Sequence, residues 1–76
     1  MSDHVYHVSE IVGTAQESVE EAVRNAVARA AMTLENLDWF EVTEIRGHLR
    51  EGAVDHFQVT IKVGFRVNTP GATADG

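Results

Sequence analysis

Residues 57 to 67 alternate without a break. Phe57, Val59, Ile61, Val63, Phe65 and Val67 are apolar, and Gln58, Thr60, Lys62, Gly64 and Arg66 separate them. This period of two predicts a strand, Ala53 to Val67, with one face on a core. Glu51-Gly52 before it reads as a two-residue hairpin turn, which makes Trp39 to Arg50 the partner strand. Further upstream Val19, Ala22, Val23, Ala26, Val27, Ala30, Leu34 and Leu37 recur at helical spacing. They predict an amphipathic helix of about five turns. Ser18 with Glu21 forms a capping box at its start, and Thr14 with Glu17 is a second candidate start. Glu17, Glu20 and Glu21 complement the helix dipole, and Asn36 is a stop signal. Val5 to Gly13 reads as the first strand, with Tyr6, Val8, Ile11 and Val12 as its apolar positions. From Asn68 the stretch NTPGATADG is small, polar and proline-broken, and is expected to be a disordered tail.

Strand, helix, strand, strand is an α+β order. The helix is expected to cover one face of a three-stranded antiparallel sheet, with the third strand between the first and second. A helical return parallel to the first strand leaves that gap. Taking Glu51-Gly52 as the loop pairs Arg50 with Ala53, Val42 with Ile61 and Phe40 with Val63. On the other face it pairs Glu41 with Lys62, Thr43 with Thr60 and Trp39 with Gly64, and the first two are favourable cross-strand pairs. A glycine inside a strand often marks close approach by a ligand or a backbone. In this register Trp39, Thr43, Ile45 and Gln58 share the face away from the helix. Glu44 and Arg46 take core parity. Arg46 then snorkels near the hairpin tip, and Glu44 would need a partner such as an ion pair with another subunit.

Length changes the picture. With 76 residues, ordering costs of about 1.5 kcal/mol per residue nearly cancel what so small a core supplies. The chain has no cysteine, which removes disulfides and thiolate metal sites. Oligomerisation is the remaining support, and Trp39 is too large an apolar surface to leave in water. A formal charge of −6 argues against general nucleic-acid binding. No apolar run approaches a membrane span, and MSDHVYHVSE lacks the regions of a signal peptide, so a cytoplasmic location is expected.

Candidate chemistry is sparse. His4 and His7 point to opposite faces of an extended chain, and His48 and His56 also differ in facing, so neither makes a metal pair. No phosphate loop, activated serine or paired carboxylates appear. A lone tryptophan at a strand start usually packs, and a glutamine on a polar face is usually just solvated. Trp39 and Gln58 lie at opposite ends of their face, so a small ligand touching both would have to sit between chains.

The stretches EIVGT (Glu10–Thr14), ESVEEAV (Glu17–Val23), LDWFEV (Leu37–Val42), IRGHL (Ile45–Leu49) and HFQVTIKVGFR (His56–Arg66), in this order and spacing, resemble the dodecins, small bacterial and archaeal flavoproteins. The resemblance covers Val5 to Val67, so a dodecin-like domain is expected over residues 1–67 with the tail over 68–76. It implies a hollow, closed dodecameric shell. In such proteins two flavins stack at a two-fold interface between symmetry-related tryptophans. Trp39 matches that tryptophan, and Gln58 the glutamine that hydrogen-bonds the polar ring edge. Arg46, Gly47 and His48 match the stretch flanking the pocket. IRGHL looks bacterial, which favours FMN over riboflavin or FAD. The implied role is flavin storage, buffering and photoprotection without catalysis. A flavin-dependent enzyme such as a flavin reductase, or a purely structural shell, is the alternative. Coenzyme A, bound by some relatives, is an open second ligand.

Overall fold

The computed structural model describes residues 4–67. The tail expected over 68–76 lies outside them. The element order is β1 (Tyr6–Ala15), α1 (Val19–Thr33), β2 (Leu37–Arg50) and β3 (Ala53–Arg66). The sheet is antiparallel in the order β1-β3-β2, as the helical return requires.

The helix starts where its cap places it. Ser18 is extended and its hydroxyl accepts from the Glu21 amide at 3.0 Å, satisfying one orphan donor. Arg24 pairs with Glu20 one turn back at 2.8 Å. The buried face is Ala22, Ala26 and Ala30, and these small side chains bring the helix close to the sheet. Gly13 lies beneath them. A methyl group there would stand 2.3 Å from the Ala22 carbonyl oxygen and 2.7 Å from Ala26 Cβ. The opposing core layer is Val59, Ile61 and Val63, each at most 2 % exposed.

The helix is shorter than its periodicity suggests. It ends at Thr33, Leu34 is already extended, and Leu37 opens β2. Both leucines still pack against the core, which is why they kept the helical spacing. Asn36 stands in the connection at φ 64°, a left-handed conformation that asparagine tolerates. Its carbonyl accepts from the Arg66 amide at 3.0 Å.

The hairpin follows the turn. Glu51 and Gly52 have φ of 54° and 80°, the two left-handed residues of a type I′ turn. Arg50 pairs with Ala53, Val42 with Ile61, Glu41 with Lys62, Phe40 with Val63 and Trp39 with Gly64. The Thr43–Thr60 pair does not form. Glu44 takes Thr60, leaving Thr43 as the extra residue of a bulge, and a second shift lies between His48 and Leu49 at Asp55. Between these bulges β2 is displaced by one residue, which exchanges the faces of its side chains. Ile45 therefore opposes Val59 on the helix side, and Glu44, Arg46 and His48 turn to the face of Trp39. Neither charged residue has core parity. Glu44 and Arg46 lie side by side on one strand and pair with each other at 2.8 Å.

The hairpin outruns its cover. The helix packs mainly over β1 and β3, and Phe40 and Val42 on β2 are 50 % and 37 % exposed. The Cα radius of gyration is 16.0 Å, against about 11 Å for a compact chain of this length.

Candidate functional site

The face away from the helix is built by parity. β1 contributes Tyr6, Val8, Glu10, Val12 and Thr14, and β3 contributes Gln58, Thr60, Lys62, Gly64 and Arg66 across the register. Beyond them β2 contributes Trp39, Glu41, Glu44, Arg46 and His48.

Trp39 anchors one end. Its indole lies flat on Gly64, where an added Cβ would fall 2.1 Å from Cε2 and 2.3 Å from Cζ2. Only a residue without a side chain permits that approach. The other ring face opens outward, and Trp39 is 42 % exposed. The Tyr6 ring flanks it, with centroids 6.4 Å apart at 46°. The Tyr6 hydroxyl donates to Asp38 Oδ2 at 2.7 Å. That bond, then partial desolvation and the carboxylate charge, hold the phenol pKa above its ordinary value. Arg66 lies beside Tyr6 in the register. Its guanidinium is 3.4 Å from His4 and makes no carboxylate pair among the described residues.

Gln58 belongs to the other end. Gln58 precedes Gly64 by six positions along β3, about 20 Å at strand rise. His48 Nε2 lies 2.9 Å from Gln58 Oε1. The His48 and His56 rings stack at 4.5 Å and 13°, so the expectation that they face apart is corrected. The Thr43 bulge puts His48 on the outer face, with His56 opposite. His56 Nδ1 is held by Asp55 Oδ2 at 2.6 Å. His7, by contrast, stacks on Phe65 on the helix side. Among the described residues no group of three or more His, Cys, Asp or Glu is placed to hold a metal ion.

Of the five residues singled out in the sequence, the structure gathers Arg46, His48 and Gln58 at one end and Trp39 at the other, on one face. Gly47 opposes Phe57 on the helix side. Tyr6, Asp38 and Arg66 join the Trp39 end without a motif in the sequence to mark them. The parity of Arg66 with Gly64 was legible in β3, but the Asp38 contact depends on another register shift, between Leu37 and Trp39. An open cleft of about 440 Å³ between α1 and β2, lined by Val23, Val27, Ala28 and Phe40 among others, is on the opposite side of the sheet from the indole's open face.

The fold is a small α+β protomer with an open aromatic sheet face. A family model described as Dodecin matches residues 5–68, and the chain belongs to the dodecin family. Members of this family generally bind flavins. A dodecin of Thermus thermophilus is 52 % identical over 63 residues, covering 83 % of this chain and 91 % of that protein. The solved dodecin of Streptomyces davaonensis is 56 % identical with a TM-score of 0.85, covering 90 % of this chain and 100 % of that one. The Streptomyces coelicolor dodecin is 55 % identical with a TM-score of 0.86, covering 91 % and 99 %. No helix among the described residues is long and apolar enough to cross a membrane.

Proposed function

We propose that this protein is a cytoplasmic flavin store that assembles as a closed homododecamer and holds FMN stacked on Trp39 at subunit interfaces. The observation that carries this reading is the indole laid flat on Gly64 with its second face open. A planar aromatic ligand fits that surface by offset stacking. Gln58 offers an amide donor and acceptor, which suits the carbonyl and N–H edge of an isoalloxazine. It lies about 20 Å along β3 from the indole's seat, so one flavin meets both only between chains.

Assembly has its own support. The protomer is extended, and Val8, Val12, Phe40, Ile45 and Leu49 are each 50 % exposed or more. A second copy docked on such surfaces would remove their apolar area from water. Arg46 and His48 share the outer face with Gln58, and Gly47 lies between them in sequence on the helix side. Arg66, without a carboxylate partner among the described residues, suits a phosphate and supports FMN over riboflavin, and FAD is the less suited of the larger flavins. Coenzyme A is a second ligand to test in the same assays.

Storage follows from the stack. A pair of stacked flavins closed between two indoles leaves no ring face for a substrate, and a photoexcited flavin accepts an electron from indole at contact. That transfer and its reversal compete with emission and with triplet chemistry, which protects the flavin and its surroundings. The test is the visible spectrum of the purified protein, chemical identification of the released chromophore, and sedimentation of the coloured species. A yellow particle of about twelve subunits is expected. A stable colourless monomer that takes up no added flavin overturns the reading, and turnover with a reduced nicotinamide replaces the store with an enzyme.

A further inference from the structure

Stacking on Trp39 does not use the polar chain at the far end of the face. It runs from Asp55 to His56, across a ring stack to His48, and on to Gln58. Gln58 Oε1 is a carbonyl oxygen and can only accept. With that oxygen turned to the imidazole, the 2.9 Å contact is a hydrogen bond only when His48 Nε2 carries a proton. The neutral Nε2–H tautomer and the imidazolium both provide it, and the neutral Nδ1–H tautomer does not. An unheld glutamine amide has two orientations of equal shape and opposite polarity. The His48 bond selects one, with the oxygen turned to the imidazole and the NH2 group left for another acceptor.

We propose that His48 is a positioning residue, which fixes the Gln58 amide so that its NH2 group is offered to an acceptor on the ligand's ring edge, such as a ring carbonyl oxygen. This rests on the reading of Gln58 as the ring-edge partner. The rest of the chain supports His48 in turn. The His56 ring lies against it nearly parallel, and Asp55 Oδ2 holds His56. The Asp55 bulge sets that carboxylate beside the ring. Arg46 is engaged by Glu44 at 2.8 Å, and Arg50 lies 3.5 Å from Asp55. Neither guanidinium competes for the Gln58 oxygen. A ligand meeting a pre-set amide does not spend binding free energy on choosing its orientation.

Two measurements test this, both on the intact assembly. The first needs no ligand: long-range proton–nitrogen correlation on protein labelled with ¹⁵N-histidine reads the His48 tautomer. Nε2–H or the imidazolium is expected, and Nδ1–H overturns the proposal whatever flavin does. The second is an FMN titration across a double-mutant cycle. His48→Ala should weaken binding about three- to tenfold, as for one neutral hydrogen bond, and should have no further effect beside Gln58→Ala. His48→Phe keeps a flat ring on His56 without the donor and should lose as much. His48→Gln restores a donor and should recover most of the affinity. Equal losses with and without Gln58, or no loss from either His48→Ala or His48→Phe, overturn the positioning role. If Gln58→Ala binds FMN as the wild type does, the ring-edge reading itself falls and the proposal with it. The expected tautomer would then show that the fault lay in that reading and not in the His48 bond.

Discussion

Gly64→Ala removes the seat of the indole without touching the indole. The added Cβ would lie 2.1 Å, 2.3 Å and 2.6 Å from Cε2, Cζ2 and Nε1 of Trp39. Carbon atoms rest at about 3.5–4.0 Å, so the ring must lift by roughly 1.5 Å or swing to another rotamer. Trp39 is 42 % exposed on an edge strand, and it can move without disturbing the Val59–Ile61–Val63 layer on the other face. The fold should lose only about 1 kcal/mol, the lower end of the cost of overpacking. A displaced indole forfeits about 0.5–1.5 kcal/mol of stacking, and the loss of roughly 50 Å² of buried ring surface adds about 1 kcal/mol. FMN affinity should fall by about 2 kcal/mol, roughly thirtyfold in Kd. Titration by flavin emission measures this, with circular dichroism melts and sedimentation confirming that the variant folds and assembles. A folded Gly64→Ala protein that binds FMN within about twofold of wild type would refute the claim that the Gly64 surface sets the indole for stacking.

Other outcomes follow from particular contacts. Gly13→Ala places a methyl group 2.3 Å from the Ala22 carbonyl oxygen, so helix and sheet must separate; denaturant unfolding should show a loss of about 1–3 kcal/mol, and an unchanged midpoint would contradict the close approach. Tyr6 is the only tyrosine, so alkaline absorbance titration reads it alone. Its midpoint should lie above about 10, and Asp38→Asn should bring it down. Because the folded phenol pKa is raised, its contribution to stability is complete below the unfolded pKa and is lost as pH rises through the folded one, leaving neutral-pH melting unaffected by this titration. Glu51 is left-handed at φ 54°, and Glu51→Asn should raise the melting temperature through a gain of about 0.5 kcal/mol; a lower temperature would argue against the type I′ turn.

Much of this architecture was legible because β3 is regular. Its alternation and the two-residue turn placed Trp39 on Gly64 and set the strand order. The centre of β2 was not legible, because a bulge adds a residue without any marker of its own. Its trace was the discomfort of Glu44 and Arg46 at core parity, which the one-residue shift at Thr43 removes by turning both outward and Ile45 inward. The same shift brings His48 to Gln58 and His56, a cluster that strict alternation separates. The helix end was overestimated for a related reason. Periodicity reports which side chains meet the core, and Leu34 and Leu37 meet it from an extended connection.

The stacking role of Trp39 is tested most directly by the emission of FMN as it binds. Electron transfer from an indole in contact should outrun fluorescence, so wild-type protein should quench the flavin strongly. Trp39→Ala should bind more weakly, and the flavin it retains should fluoresce and photobleach faster. Bright emission from FMN bound to the wild type, or binding and quenching that survive in Trp39→Ala, would contradict the account.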